Sequence, residues 1–372
     1  MNEDRPTCAA SGCSNLARRR GLCTGHAYPA DAPTSEPAVA DQVAEDRLKL
    51  AATSKLGTLQ AKYKEALRTI EQQEGELRSL NVLAQNVETY TIAPQFKSST
   101  SEATPVIVAS DWHVEERVGA EVGGLNRYSP EIATQRATEF FQRSLRLMRL
   151  LNQDVTITTA VLALLGDFIT GNIHGEENAE KNELMPNHAI VFAQNLIISG
   201  IEFLLNHTNY SFVIPCHSGN HARTTLKSRF GAENGHSLEY LMYLHLAAYF
   251  RNEKRIQFII PEGYHSYLDI YDTTLRFHHG HAIKYGGGVG GIFIPTYKAI
   301  SQWDKGRKAD IDIFGHFHQS KDGANFLCNG SLIGYNAYAL SIKADYERPQ
   351  QTMFLLDKKR GRTFTMPVLF SV

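Results

Sequence analysis

No stretch of eighteen consecutive apolar residues occurs in the 372-residue chain, so no membrane-spanning helix is expected. The first thirty residues lack the apolar core of a secretory signal, which points to a cytoplasmic setting. An excess of one charge is also missing. With 38 Lys and Arg against 39 Asp and Glu, the formal net charge is −1, so the field of the whole chain does not steer toward nucleic acid. Any such binding must come from local basic patches. Cysteine is scarce: five in all, three within the first twenty-three residues, with Cys216 and Cys328 far apart. That excludes a disulfide framework and fits a reducing compartment. What the chain does have is histidine, fifteen of them, the commonest metal ligand and a frequent acid–base group.

The chain divides into segments. Residues 1–30 are a small cysteine-bearing module, and residues 31–46, rich in Ala, Pro, Glu and Asp, read as a flexible linker. Over 47–90, Leu56, Leu59, Tyr63, Ala66, Ile70, Gln73, Leu77, Leu80, Ala84 and Val87 alternate spacings of three and four, an a/d heptad register. Gln73 in the seam and Gly75 beside it weaken its middle. This pattern makes either a coiled coil that forms a homodimer or a solvated helix packing on its own chain. Residues 91–104 read as a second linker.

From residue 105 strands and helices alternate. Strands are expected over 105–109, 161–165, 210–215 and 256–260, with a hairpin across Tyr271-Asp272-Thr273. Helices are expected over 129–151, with Ser129 as N-cap and Pro130 in the first turn, and over 186–206, 237–250 and 295–305. The remainder, over 311–315, 324–328, 352–357 and 363–370, is strand-rich. Such an order predicts a layered α/β domain over 105–372.

Polar residues of metal-binding type fall just after the expected strands. Asp111 and His113 follow the first, Asp167 the second, Asn220 and His221 the third; His278, His279 and His281 follow the hairpin, and His316 and His318 the strand at 311–315. Ligands of open α/β sheets bind beyond the carboxyl ends of strands, so five strand ends can converge on one site. Asp-x-His and His-x-His place two side chains on one face of an extended segment. Carboxylates with imidazoles suit manganese first, with iron or zinc as alternatives. One aspartate between such pairs can bridge two ions, and two ions can clamp a phosphate. Each cluster alone is weak; their order, DxH, GDxxxG, GNH, HGH and GHxH, is specific.

This series, over about residues 104–335, resembles the calcineurin-like metallophosphoesterase superfamily. The resemblance implies a four-layer α/β/β/α sandwich and a phosphoesterase with two divalent ions. It implies Asp111, His113, Asp167 and His318 around the first ion, and Asp167, Asn220, His279 and His316 around the second. His221 would protonate the leaving oxygen or steady the phosphate. His279, which precedes Gly280, is preferred to His278 as ligand, and His281 would steady a ligand imidazole from behind. Protein phosphatases of the superfamily carry Asp-Arg-Gly after the second motif and an acidic residue after Gly-Asn-His. This chain has Ile169-Thr170-Gly171 and Ala222-Arg223 instead, closer to the phosphodiesterase and nuclease branches. The implied substrate is DNA, with nucleotides or other small phosphoesters as the alternative and an inactive DNA-binding scaffold as a third. Arg223 is either a bidentate phosphate contact or a turn-capping arginine.

Cys8, Cys13, Cys23 and His26 have the spacing of a closed structural zinc site, whose metal would supply the folding free energy of so short a module. Against it stands a disordered tail with chance cysteines. The segment also resembles zinc motifs of phage-encoded proteins, which would set the chain in a bacterial cytoplasm. Arg18, Arg19 and Arg20 offer phosphate contacts or are merely solvated. Lys358, Lys359, Arg360 and Arg362 read first as a hairpin turn. The glycine-rich run 286–291 reads as a substrate loop or phosphate cradle.

Overall fold

The computed structural model describes residues 9, 11–14, 39–85, 101–173, 180–285 and 290–371. The chain separates into two compact units, Met1–Pro94 and Gln95–Val372.

Among the described residues of the first unit, one helix, α1, spans Val39–Gln85. Residues 39–46 are therefore helical and do not belong to the expected linker. No Pro interrupts the run after Pro37, and its many Ala, Leu, Glu, Gln, Lys and Arg residues favour helix and outweigh Gly57 and Gly75. Exposed pairs four residues apart, Lys49 with Glu45 and Arg78 with Glu74, reinforce it.

The second unit holds eleven strands in two sheets among the described residues. β1 (Ala103–Ala109), β2 (Thr159–Leu164), β3 (Ser211–Pro215) and β4 (Ile256–Ile259) run parallel. β10 (Gln350–Asp357) joins antiparallel to β1, with β11 (Gly361–Leu369) beyond it. The second sheet follows the order β5 (Ser266–Ile270), β6 (Thr273–Phe277), β7 (Ile311–Phe314), β9 (Phe326–Cys328) and β8 (Lys321–Asp322). The register pairs Ile270 with Thr273, so the expected hairpin turns on Tyr271-Asp272 alone, with Tyr271 at φ 53°.

Alternation along the strands builds the layers. In β1, Ile107 and Ala109 face a core shared with α2 (Pro130–Leu151), α3 (Pro186–His207) and α4 (Leu238–Tyr249). Val106 and Val108 face the other way, into a core with Leu275, Ile311 and Ile313 of the second sheet. On the far side of that sheet, α5 (Phe293–Trp303) packs Ile300 against Phe314 and Phe326. The result is the expected four-layer α/β/β/α sandwich, and strands buried on both faces read as continuous apolar runs for this reason.

Two helices begin as the sequence indicates: Ser129 Oγ accepts from Ile132 N at the start of α2, and Ser237 Oγ accepts from Tyr240 N at the start of α4. α3 is long and apolar enough by composition to cross a membrane, yet it lays Ala189, Ala193, Ile197, Ile201 and Leu204 into the core. A short helix, α6 (Ala337–Ser341), follows an Asn336 side-chain cap.

Candidate metal centre

Five loops leave the carboxyl ends of β1, β2, β3, β6 and β7, and the backbone stitches them together. Asp111 N donates to Gly166 O at 2.9 Å, His113 N to Asp167 O at 3.1 Å, and Gly315 N to His279 O at 2.8 Å. Seven described non-glycine residues have positive φ, and five of them are Asp111, His113, Asp167, His316 and His318. The left-handed region is unfavourable for such residues, and residues held there cluster at functional sites. Close approach makes glycine obligatory nearby. A Cβ on Gly219 would lie 2.0 Å from Asp167 Oδ1, and one on Gly315 would lie 2.3 Å from Asp111 Oδ2.

The side chains meet in three groups whose ligand atoms lie within 4.8 Å of one another: Asp111, His113 and His318; His113, Asp167 and His221; Asp167, His279 and His316. His113 Nε2 and His318 Nε2 are 3.2 Å apart, and His318 Nε2 is 3.5 Å from Asp111 Oδ1. His279 Nε2 lies 2.9 Å from Asp167 Oδ2. Asn220 lines the same cavity, and its buried Oδ1 has no hydrogen-bond partner. The structure thus brings together all seven residues expected to hold two ions, and His221 with them.

The surroundings fix which ring nitrogens face inward. Carbonyl oxygens only accept, so Nδ1 of His279 donates to Leu165 O at 2.6 Å and Nδ1 of His221 donates to Thr170 O at 3.0 Å. His113 Nδ1 meets Thr170 Oγ1 at 3.0 Å, and that hydroxyl donates to Glu116 Oε2, so the imidazole nitrogen is the donor. In each case Nε2 is left for the centre, the arrangement metal-binding imidazoles require. Asp111 is held by Ser110 Oγ at 2.5 Å and by His316 N at 3.0 Å to both carboxylate oxygens.

Electrostatics mark two places that call for positive charge. Burial, with His221 and His318 nearby, keeps His113 well below its ordinary pKa, and burial beside His279 does the same for His316. Burial opposes protonation of His279 too, but the Asp167 charge overrides it and raises the group to about 10. Burial likewise opposes His318, and Asp111 raises it. Asp167, against its burial, is held well below the usual carboxylate range by His279 and His221. The demand for cations between Asp167 and His279 and between Asp111 and His318, the orphaned Asn220 oxygen, and the nitrogen–oxygen donor set fit two divalent ions.

Other sequence candidates lie elsewhere. His278 turns away: it stacks on Phe314 with ring centroids 5.1 Å apart, and its Nε2 is 3.3 Å from Asp312 Oδ1. His281 gives its Nε2 to Glu233 at 2.7 Å; its ring lies beside those of His279 and His316, but the hydrogen bond behind His279 goes to the Leu165 carbonyl. Arg223 spends its nitrogens on carbonyls of Asn220, Thr225 and Leu226, which is the turn-capping arrangement. Cys8, Cys23 and His26 lie outside the described residues, as do Arg18 to Arg20 and residues 286–289; Cys13 is half-buried.

Three carboxylates escaped sequence reading. Glu115 Oε1 accepts from Thr170 N and Gly171 N, both at 2.8 Å, and burial pushes its pKa up to about 7. Glu116 carries the Thr170 and Asn336 bonds. Glu239 on α4 accepts from Phe168 N at 2.6 Å and Gly219 N at 2.7 Å; burial, then the Asp167 charge, raises it to about 8. The doublet Glu115-Glu116, two residues beyond an Asp-x-His, was a readable signal; a lone helical glutamate was not.

The centre opens into a cavity of about 270 Å³, whose lining also includes Lys181, Asn336 and Tyr338.

No protein-family model matches the chain, and no curated protein does. Among solved structures the chain is similar to an archaeal phosphodiesterase, at 11% identity and TM-score 0.30 over 71% of this chain and 99% of that one. It is similar to a predicted phosphoesterase from Streptococcus pneumoniae, at 11% identity and TM-score 0.27 over 71% and 98% of the two chains. It is also similar to a hypothetical protein from Pyrococcus horikoshii, at 12% identity and TM-score 0.37 over 72% and 89%. At these TM-scores the chemistry is read from the centre's own geometry.

Proposed function

We propose that the chain is a metal-dependent phosphodiesterase of the calcineurin-like metallophosphoesterase type, acting on DNA. One observation carries the reading: seven nitrogen and oxygen donors from five strand ends converge beside a cavity, and five of those residues hold left-handed backbone. Asp111, His113 and His318 would hold one ion, Asn220, His279 and His316 the other, with Asp167 shared. Two bound divalent ions supply Lewis-acid polarisation of a phosphoryl oxygen and activation of water.

The chain's own residues orient and protonate. His221 reaches the cavity with Nδ1 committed to Thr170 O, so its Nε2 is the nitrogen that delivers a proton to a departing oxygen. Thr170 and Glu116 keep the His113 ring in the tautomer that points Nε2 inward.

The DNA assignment is supported by the absence of the protein-phosphatase signatures and by the cysteine–histidine pattern near residues 8–26. A second reading, a small phosphodiester, is supported by the cavity: about 270 Å³ is just below the usual range for ligand pockets, and Lys181 is its one Lys or Arg among the described lining residues. Hydrolysis assays with Mn²⁺ separate these readings, using bis-p-nitrophenyl phosphate, p-nitrophenyl phosphate, and single- and double-stranded DNA. Asp167→Ala is the blank, and His221→Ala should retain metal while losing turnover by at least about a hundredfold. Cleavage of diester and DNA supports the nuclease; diester alone, the small-substrate enzyme; monoester alone, a phosphatase. No cleavage of any substrate by the metal-loaded protein would remove the hydrolase reading.

A further inference from the structure

α4 presents Met242, Tyr243 and Leu246 to the apolar core, yet Glu239 on the same helix is fully buried. A buried carboxylate is destabilising unless its oxygens are bonded, and here each takes one backbone N–H. Those two amides are not from one turn. Phe168 directly follows Asp167, and Gly219 directly precedes Asn220. Beside the same junction, His221 N donates to Asp167 Oδ1 at 2.8 Å. Gly166 and Gly219 meet so closely that a Cβ on Gly166 would lie 2.2 Å from Gly219 N. The loops are therefore joined both at the ligand and behind it, and the rear joint is a side chain supplied by a third element.

We propose that Glu239 is a positioning residue for the metal centre, spacing the Asp167 loop from the Asn220 loop and so setting the second ion's subsite. The inference rests on the two-metal reading above. A leucine at this position would fill the core but leave the Phe168 and Gly219 amides unpaired. Glutamine offers one acceptor oxygen, so its NH₂ group must face one of the two N–H groups, and one loop is released.

The test is Mn²⁺ binding to the full chain, read by equilibrium titration and by the exchange-coupled electron paramagnetic resonance signal of a Mn pair. Glu239→Gln should bind its second Mn²⁺ about tenfold or more weakly and lose coupled signal, because removal of such supporting bonds weakens metal sites by about 10- to 100-fold. Leu246→Ala, a cavity in the same helix, should lower the melting temperature without weakening the second ion. Wild-type stoichiometry and coupling in Glu239→Gln would overturn the proposal, as would equal weakening in Leu246→Ala. Should Glu239→Gln not fold, hydrogen exchange of the wild-type protein decides. The Phe168 and Gly219 amides should be strongly protected, and rapid exchange at either overturns the proposal. A wild-type chain that binds fewer than two Mn²⁺ ions would instead remove the two-metal reading itself.

Discussion

At His279 the ring is held from both sides, Nδ1 on the Leu165 carbonyl and Nε2 beside Asp167, and the aspartate keeps it protonated up to about pH 10. An incoming cation must take the place of that proton, since only the neutral imidazole can ligate. Because the pKa is raised, the proton is present throughout the neutral range. Metal affinity should therefore rise with pH, by about tenfold per unit for each proton displaced. Mn²⁺ titrations at pH 6, 7 and 8 check this, together with calorimetry in buffers of different ionisation enthalpy; affinity that does not change with pH would contradict it. Much of this residue-level picture was readable, because Asp-x-His, Gly-Asn-His and Gly-His-x-His state donor type and spacing together. The choice of His279 over His278 came from resemblance alone; the structure adds a physical reason, for adjacent residues of an extended segment point to opposite sides. Glu239 was not readable, since its partners are backbone amides 71 and 20 residues away that only the fold brings near it.

Helices and strands were legible where burial imposes a pattern and blurred where it does not. α2, with its Ser129 cap, and α3 and α4 were found nearly to the residue, and the four parallel strands from their apolar runs. β8 and α6, two and five residues long, carry too little periodicity to be read. The start of α1 was misplaced because alanine and charged residues suit a helix and a solvated linker equally. One contact between elements makes a sharp prediction. Gly200 of α3 lies against Phe141 of α2, where an added Cβ would come within 1.9 Å of the ring. Phe141 is itself buried and packs edge-on to Trp112 and Phe140, so swinging its ring into the adjoining cavity of about 220 Å³ would break those contacts. Gly200→Ala gains about 1 kcal/mol of helix propensity but loses about 1–3 kcal/mol to overpacking. Net destabilisation is expected, visible as a lower urea midpoint with an unchanged slope and unchanged Mn²⁺ stoichiometry. A variant as stable as the wild type would mean that α2 and α3 separate more easily than their packing implies.

For the molecule as a whole, what bears on assembly is α1. At 47 residues it is about 70 Å long, and Leu56, Leu59, Tyr63, Ile70 and Leu77 of its heptad seam are all exposed. Its pairs of the Lys49–Glu45 kind contribute only about 0.3–0.5 kcal/mol each. Seam burial is worth more, about 1.5–3 kcal/mol for each large apolar side chain fully covered. A second copy of the same seam supplies that cover without any further partner, so we propose a homodimer through α1. Light scattering should give twice the 41.5 kDa chain mass at micromolar concentration. Leu59→Asp with Ile70→Asp places two charges in the seam and should return the monomer, while leaving Mn²⁺ stoichiometry intact because neither residue belongs to the unit that holds the centre. A wild-type chain that stays monomeric at these concentrations would end the homodimer reading. A dimer that survives both aspartates would show that α1 is not its interface.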